Sequence, residues 1–122
     1  MATRILLADD LPFMRMVQRE ILKDRGYLVV GEATNGEQAV ELYASLRPDL
    51  VILDITMPQM NGLEATKKIL TQDPQVVIII CSAMGQQRLI LEAIQLGVKD
   101  FIVKPFKPER LIGAIQKALR RP

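Results

Sequence analysis

Short apolar runs alternate along this chain with stretches in which apolar residues recur every three or four positions. The runs have the length of buried strands, and they span residues 5–8, 28–30, 50–53, 76–81 and 101–103. The stretches between them are typical of amphipathic helices, with expected starts at Pro12, Asn35-Gly36, Asn61-Gly62, Gly85 and Pro108. Five strand–helix units predict a parallel sheet with helices on both faces, a three-layer α/β sandwich. A closed eight-stranded barrel would need about twice this length.

The run at 50–53 predicts a strand buried on both faces, and Asp54 follows it directly. An acid at the carboxyl end of such a strand lies where open α/β sheets bind their ligands. Taken alone, this residue is better explained as a loop cap. The run at 76–81 predicts a central strand, and it places the single cysteine, Cys81, in the core rather than at a reactive position.

The composition limits the cellular compartments in which the protein is expected and the kinds of catalytic and metal site that it can form. The 122 residues, 49% of them hydrophobic, fit one domain spanning 1–122 with one core. No apolar run approaches the roughly 20 residues of a membrane span, and no signal-peptide pattern opens the chain, so we expect a cytoplasmic protein. The lack of histidine excludes Ser/His and Cys/His dyads and imidazole metal sites. A bound metal would have oxygen ligands, which favours Mg²⁺.

Charge is distributed unevenly, although the net charge is only +2. Seven of the 16 Lys and Arg residues lie between positions 99 and 122. A basic tail can bind nucleic acid or a protein partner. The same cations also suit the C-terminal dipole of a solvated last helix, which is the favoured interpretation. We therefore do not expect nucleic acid to be a partner.

Polar side chains follow four of the predicted strands at the point where each strand ends. They are Asp9 and Asp10 after the first strand, Asp54 after the third, Ser82 after the fourth and Lys104 after the fifth. Because the carboxyl ends of parallel strands meet at one edge, these side chains should converge. Singly, Asp10 could cap the next helix and Lys104 could be an ordinary surface lysine. Neither explanation accounts for the joint pattern.

A cluster of this kind is suited to phosphoryl transfer. Neighbouring carboxylates repel one another, and a divalent cation bound through oxygen relieves the repulsion. The cation, a lysine and a serine hydroxyl can together neutralise an incoming phosphoryl group. An ionised aspartate can then act as the covalent nucleophile.

The whole chain, from the first strand through the fifth helix, resembles the receiver domain of two-component response regulators. The resemblance rests on Asp9-Asp10, Asp54, Ser82 and Lys104-Pro105, in that order and on those elements. It implies a flavodoxin-like strand order 2-1-3-4-5, of which the chemotaxis receiver is itself a standard example. Residues 54–58 and 81–87 resemble the corresponding segments of chemotaxis receivers of the CheY type, in particular the variety that does not have the enteric pattern.

The resemblance implies a role for each residue of the cluster. Asp54 is the expected phosphoacceptor. Asp10 and Asp54 are expected to bind Mg²⁺ through their carboxylates, with Asp9 acting through water. The backbone carbonyl of Thr56 is a further expected metal ligand. Lys104 is expected to pair with the phosphoryl group.

Ser82 and Phe101 form the switch that the resemblance implies. The hydroxyl of Ser82 is expected to move to the phosphoryl group, and the ring of Phe101 is expected to turn inward behind it. Receivers commonly have a tyrosine where this chain has Phe101. Because phenylalanine has no hydroxyl, any hydrogen bond that the tyrosine hydroxyl would make to a partner is missing here. The alternative is that Phe101 is simply an aromatic residue of the core. The small Ala83 leaves room for the phosphoryl group, and the Lys104–Pro105 peptide bond is expected to be cis.

Two variable positions of receivers influence the lifetime of the phosphoryl group, and here they hold Thr56 and Met84. Neither supplies a carboxylate or an amide to orient a hydrolytic water. We therefore hypothesise slow self-dephosphorylation and a separate phosphatase. The protein is expected to catalyse only its own phosphorylation and dephosphorylation, and so not to be a conventional enzyme.

The expected function is that of a phosphorylation-activated, single-domain response regulator without an output domain. A histidine kinase is the expected phosphodonor. The flagellar motor switch protein is an expected output partner, which would bind the surface formed by the fourth helix, the fifth strand and the fifth helix. Periodicity places Leu89, Ala93 and Leu96 on the buried stripe of the fourth helix. Apolar residues beside or beyond that stripe, a candidate partner surface, are Ile90, Leu91 and Ile94. A fourth helix buried more deeply than usual is the alternative.

Two other interpretations stay open. The chain could be a receiver domain cut from a longer regulator with a DNA-binding output domain, with Arg120-Arg121-Pro122 as the linker. It could also be an aspartate-nucleophile phosphatase of the haloacid dehalogenase type. That family has a second Asp two residues after the first, where this chain has Thr56. The favoured interpretation is a monomeric receiver.

Overall fold

The computed structural model describes residues 2–120, which form one parallel sheet between two layers of helices. In chain order the elements are β1 (Arg4–Ala8), α1 (Pro12–Asp24), β2 (Leu28–Ala33), α2 (Gly36–Leu46), β3 (Leu50–Asp54), α3 (Gly62–Gln72), β4 (Ile78–Ser82), α4 (Gln87–Leu96), β5 (Asp100–Val103) and α5 (Pro108–Leu119). The strands lie in the order β2-β1-β3-β4-β5, and neighbouring strands are parallel. The predicted three-layer sandwich with the flavodoxin-like strand order is confirmed.

Successive strand residues point to opposite faces, which divides the core into two clusters. The cluster under α2, α3 and α4 takes Leu6, Val51, Leu53, Ile78 and Ile80 from the strands. The cluster under α1 and α5 takes Ile5, Leu7, Leu50, Ile52, Ile79 and Ile102. Every residue of β3 and β4 is buried, as expected for strands covered on both faces.

Three element boundaries differ from the sequence prediction by two residues or more. The second strand continues to Ala33 rather than ending at Val30. The fourth strand begins at Ile78 rather than at Val76, because the N–H of Val76 donates to the carbonyl of Asp73 in the turn after α3. The fourth helix begins at Gln87 rather than at Gly85, because Gly85 has a φ of +90°, outside the helical region. The loop after β4 is consequently longer than predicted, and it includes Gln86.

The orientation of α4 corrects one predicted surface residue. Ile90 is buried, at 8% exposure, and packs in the cluster under α2, α3 and α4. Together with Ala93 it defines the face of α4 turned toward the sheet, so the predicted stripe is rotated toward Ile90. Leu91 and Ile94 are exposed at 56% and 46%. The apolar surface of α4 therefore consists of these two residues.

Within the described residues no helix combines the length and the apolar character needed to cross a membrane. Arg121 and Pro122, which belong to the basic tail and to the linker hypothesis, lie outside the described residues.

Candidate functional site

Three carboxylates meet at the carboxyl edge of the sheet. Ala8 lies opposite Leu53 in the parallel register, so the loop after β1 begins level with Asp54 at the end of β3. One carboxylate oxygen from each of Asp9, Asp10 and Asp54 lies within 4.8 Å of the others. Asp9 and Asp54 are buried, at 1% and 7% exposure, whereas Asp10 is exposed. The cluster therefore opens to solvent on the side of Asp10.

Lys104 carries the positive charge of this site. Its Nζ donates to Oδ2 of Asp9 at 2.9 Å and to Oδ2 of Asp54 at 3.2 Å. Its backbone N–H donates to the carbonyl of Ser82 at 2.8 Å, which extends the β4–β5 pairing by one bond. The peptide bond between Lys104 and Pro105 is cis. The side chain thus reaches across two strands to the acids at the ends of β1 and β3.

The protonation of this group of charges is set by burial and by mutual attraction. Burial raises the pKa of Asp54, and the charges of Asp9 and Asp10 raise it further, while Lys104 offsets only part of the rise. Burial alone lowers the pKa of Lys104, but the hydrogen bond to Asp9 and the charge of Asp54 outweigh it. The pKa of Lys104 therefore lies above its ordinary value, and the lysine stays charged at neutral pH.

The donor set fits a hard divalent cation. It consists of carboxylate oxygens alone, it opens to solvent, and one ammonium leaves its negative charge incompletely neutralised. Asp9, Asp10 and Asp54 are therefore the residues that could hold such an ion.

The start of α3 holds the backbone of Asp54 in place. The N–H of Gly62 donates to the carbonyl of Ile55 at 2.7 Å. A Cβ atom at Gly62 would overlap the carbonyl oxygen of Asp54, so only glycine permits this approach. Asn61 caps the helix by accepting a hydrogen bond from the N–H of Glu64 at 3.0 Å. The Asn61-Gly62 pair, seen in the sequence only as a helix start, thus also positions Asp54.

Arg15 and Glu32 support the loop that carries the acids. Arg15 donates to the backbone carbonyl of Asp9 at 2.7 Å and to Oε1 of Glu32 at 3.0 Å. Arg19 donates to the other carboxylate oxygen of Glu32 at 2.7 Å. The sequence analysis missed this pair, because only the packing of α1 beside β2 brings the two residues together. Their opposite charges were the only signal in the sequence.

Ser82 and Phe101 lie on the other side of the site. The hydroxyl of Ser82 is fully buried and has no hydrogen-bond partner in the described part of the chain. Phe101 is partly buried and faces a cavity of about 490 Å³ between β5 and the loop before α4. The cavity is lined by Ala83, Met84, Gly85, Gln86, Gln87, Ile90, Phe101 and Val103. A buried donor without a partner and an adjacent cavity leave room for local rearrangement.

Gln86 is a further residue of the site that was not predicted from the sequence. Its Oε1 accepts the N–H of Ala83 at 2.7 Å, and its Nε2 donates to Oγ1 of Thr56 at 2.9 Å. Thr56 and Met84 are exposed, the latter at 75%. Gln86 therefore brings an amide next to Thr56, although neither Thr56 nor Met84 carries one. No local pattern indicates this contact, because residues 56 and 86 meet only in the folded protein.

Comparison with known proteins agrees with this geometry. Residues 5–116 match the family described as the response regulator receiver domain. The chemotaxis protein CheY of Thermotoga maritima is 56% identical over 96% of this chain and 98% of its own length. CheY of Bacillus subtilis is 56% identical over 98% of this chain and 99% of its own length.

A solved structure extends the comparison to three dimensions. The CheX–CheY–BeF3–Mg²⁺ complex of Borrelia burgdorferi matches with a TM-score of 0.93 at 30% identity, over 98% of this chain and 90% of that one. The family match covers nearly all of the chain, and the chemotaxis proteins match at high identity. The chain therefore belongs to the response regulator receiver domains and is closely related to CheY.

Proposed function

We propose that this protein is a phosphorylation-activated response regulator of a chemotaxis two-component pathway, acting as a cytoplasmic monomer. A histidine kinase donates the phosphoryl group, and Asp54 accepts it. The observation that carries the proposal is the contact of one ammonium, Lys104 Nζ, with both Asp9 and Asp54 at 2.9 and 3.2 Å. This arrangement combines a nucleophilic carboxylate, further acidic ligands and a cation for the incoming phosphoryl oxygens.

Mg²⁺ is the proposed cofactor. Asp10 and Asp54 would hold it through carboxylate oxygens, Asp9 through water and Thr56 through its backbone carbonyl. The ion, when bound, neutralises charge on the phosphoryl oxygens. The BeF3 and Mg²⁺ in the solved B. burgdorferi CheY complex support this assignment.

The chain's own residues supply the remaining chemistry. A carboxylate oxygen of Asp54 attacks phosphorus, the bond to the donor's imidazole nitrogen breaks, and its electron pair returns to the imidazole. The ammonium of Lys104 stabilises the negative charge on the transferred group. The buried position of Asp54 limits the access of competing water.

Activation is proposed to spread from Ser82 to the surface formed by α4, β5 and α5. The unpaired hydroxyl of Ser82 would donate to a phosphoryl oxygen, and Phe101 would turn inward toward the neighbouring cavity. The exposed Leu91 and Ile94 on α4 then offer apolar contact to an output partner such as the flagellar motor switch protein.

Slow self-dephosphorylation and a separate phosphatase complete the proposal. Thr56 and Met84 carry no group that activates a water molecule by accepting its proton. The protein would thus act as a signal carrier that catalyses its own phosphorylation, and not as a turnover enzyme.

The test is beryllofluoride binding with and without Mg²⁺, together with intact mass after treatment with acetyl phosphate. Wild type should bind the mimic only with Mg²⁺ and gain one phosphoryl group. Asp54→Asn should lose both properties. The matched control, Asp24→Asn, changes an exposed acid in the last turn of α1 and should behave as wild type. Failure of wild type in both assays would overturn the proposed function.

A further inference from the structure

The carboxamide of Gln86 joins the two loops that flank Asp54. Oε1 accepts the N–H of Ala83 at 2.7 Å, and Nε2 donates to Oγ1 of Thr56 at 2.9 Å. Both hydrogen bonds have good lengths, and they use both ends of the amide. Gln86 is partly buried, whereas Ala83 and Thr56 are exposed. The Gln86 carboxamide thus links the β3–α3 loop to the β4–α4 loop by two hydrogen bonds, and this link is called the clip below.

The register of the sheet places this clip directly beyond the phosphoacceptor. Asp54 lies opposite Cys81, and the N–H of Ile55 donates to the carbonyl of Cys81 at 3.0 Å. Thr56 and Ala83 each follow this pair by two residues, in the loops after β3 and β4. The carboxamide therefore spans the crevice that opens past Asp54.

A phosphoryl group on Asp54 would bring three strong acceptor oxygens into that crevice. The donors at the end of β4 are the hydroxyl of Ser82, which has no partner among residues 2–120, and the N–H of Ala83, which Gln86 occupies. Resting on the proposed function, we propose that Gln86 is a positioning residue that latches the unphosphorylated state by withholding the N–H of Ala83. Phosphorylation exchanges the amide oxygen for a phosphoryl oxygen.

The exchange releases both ends of the clip. Once Ala83 donates to a phosphoryl oxygen, the carboxamide of Gln86 leaves Thr56, and the two loops are no longer joined. Gln86 also lines the cavity beside Phe101, so its release changes the space into which that ring can turn. Two exposed neutral hydrogen bonds are lost and one charge-assisted bond is gained, and the exchange is favoured because water can bond the released amide.

The test measures how much the latch opposes binding of the phosphoryl mimic. Beryllofluoride is titrated in saturating Mg²⁺, and the amide resonance of Ala83 is followed by NMR. Gln86→Ala should bind the mimic about fivefold more tightly than wild type, because no hydrogen bond has to be broken first. The matched control, Gln72→Ala, should bind as wild type, since Gln72 lies exposed at the end of α3, does not line the cavity beside Phe101 and makes no side-chain hydrogen bond within the described residues.

A double-mutant cycle with Thr56→Val separates a latch from a general structural effect. Valine keeps the shape and the backbone carbonyl of Thr56 but removes the acceptor of the Nε2 bond. Thr56→Val alone should bind beryllofluoride more tightly than wild type, but by less than Gln86→Ala does. Combined with Gln86→Ala, it should give no further increase in affinity. Unchanged or weaker binding by Gln86→Ala, or additive effects, would overturn the latch while leaving the proposed function intact. Loss of binding in wild type itself would instead overturn both.

Discussion

The ammonium nitrogen of Lys104 lies 2.9 Å from Oδ2 of Asp9, although 95 positions of sequence separate the two residues. Asp9 is almost completely buried, so this ion pair is formed largely out of contact with solvent. Breaking such a pair by removing one partner leaves an uncompensated buried charge, which is costly. Lys104 therefore has a structural role at the site besides its proposed role toward the phosphoryl group.

Lys104→Met should destabilise the metal-free protein by about 3 kcal/mol, because Asp9 and Asp54 lose their buried counter-charge. Added Mg²⁺ should recover part of the loss, because a bound cation replaces the missing charge. Urea unfolding with EDTA and with Mg²⁺ measures both quantities. Lys107→Met, at the exposed cap position of α5, should leave the free energy of unfolding nearly unchanged. An equal loss with and without Mg²⁺ would contradict the prediction.

Asp54→Asn should raise the free energy of unfolding of the metal-free protein at pH 7, because it removes a buried negative charge. Burial raises the pKa of Asp54 above its ordinary value of 3.8, so the folded protein holds this proton more tightly than the unfolded chain does. The stability of wild type therefore falls as pH rises from about 3.8 through the folded pKa. The difference in the free energy of unfolding between Asp54→Asn and wild type should therefore disappear at acidic pH. Urea unfolding across pH in EDTA checks this, and an unchanged gap across pH would disprove it.

Tyr43→Phe should lower the free energy of unfolding by about 1 kcal/mol at pH 7. The hydroxyl of Tyr43 donates to Oδ2 of Asp73 at 2.5 Å, which joins α2 to the end of α3. This hydrogen bond holds the pKa of Asp73 below its ordinary value of 3.8. The contribution is therefore present above pH 3.8 and is lost as pH falls through the folded pKa.

Unfolding curves at several pH values test this prediction against Tyr27→Phe. The hydroxyl of Tyr27 makes no hydrogen bond in the described chain, so that variant should show no pH-dependent loss. Equal behaviour of the two variants would mean that the Tyr43–Asp73 bond does not contribute to stability.

Cys81 should resist thiol reagents in the folded protein at pH 8. Burial raises the pKa of its thiol to about 12, so almost no thiolate forms, and the side chain is fully enclosed between the sheet and the helices. Because it is the single cysteine, absorbance with a disulfide reagent reports on this residue alone. Labelling should follow unfolding in urea. Rapid stoichiometric labelling of the folded protein would refute the prediction.

Much of the fold could be predicted because local pattern and chain connectivity leave few alternatives. Five apolar runs separated by helical periodicity require a covered parallel sheet, and parallel strands share one carboxyl edge. That edge does bring together Asp9, Asp10, Asp54 and Lys104. The strand order came from the resemblance to receivers, since periodicity does not specify which strands are neighbours.

Hydrophobic periodicity and backbone direction were enough to predict the element types, the shared edge and the residue types that meet there. Packing in the folded chain sets three further features: α4 starts after Gly85, Ile90 turns inward, and Gln86 reaches Thr56. Contacts of this kind join residues far apart in sequence through side-chain geometry. Their partners are fixed by packing, which no local pattern encodes.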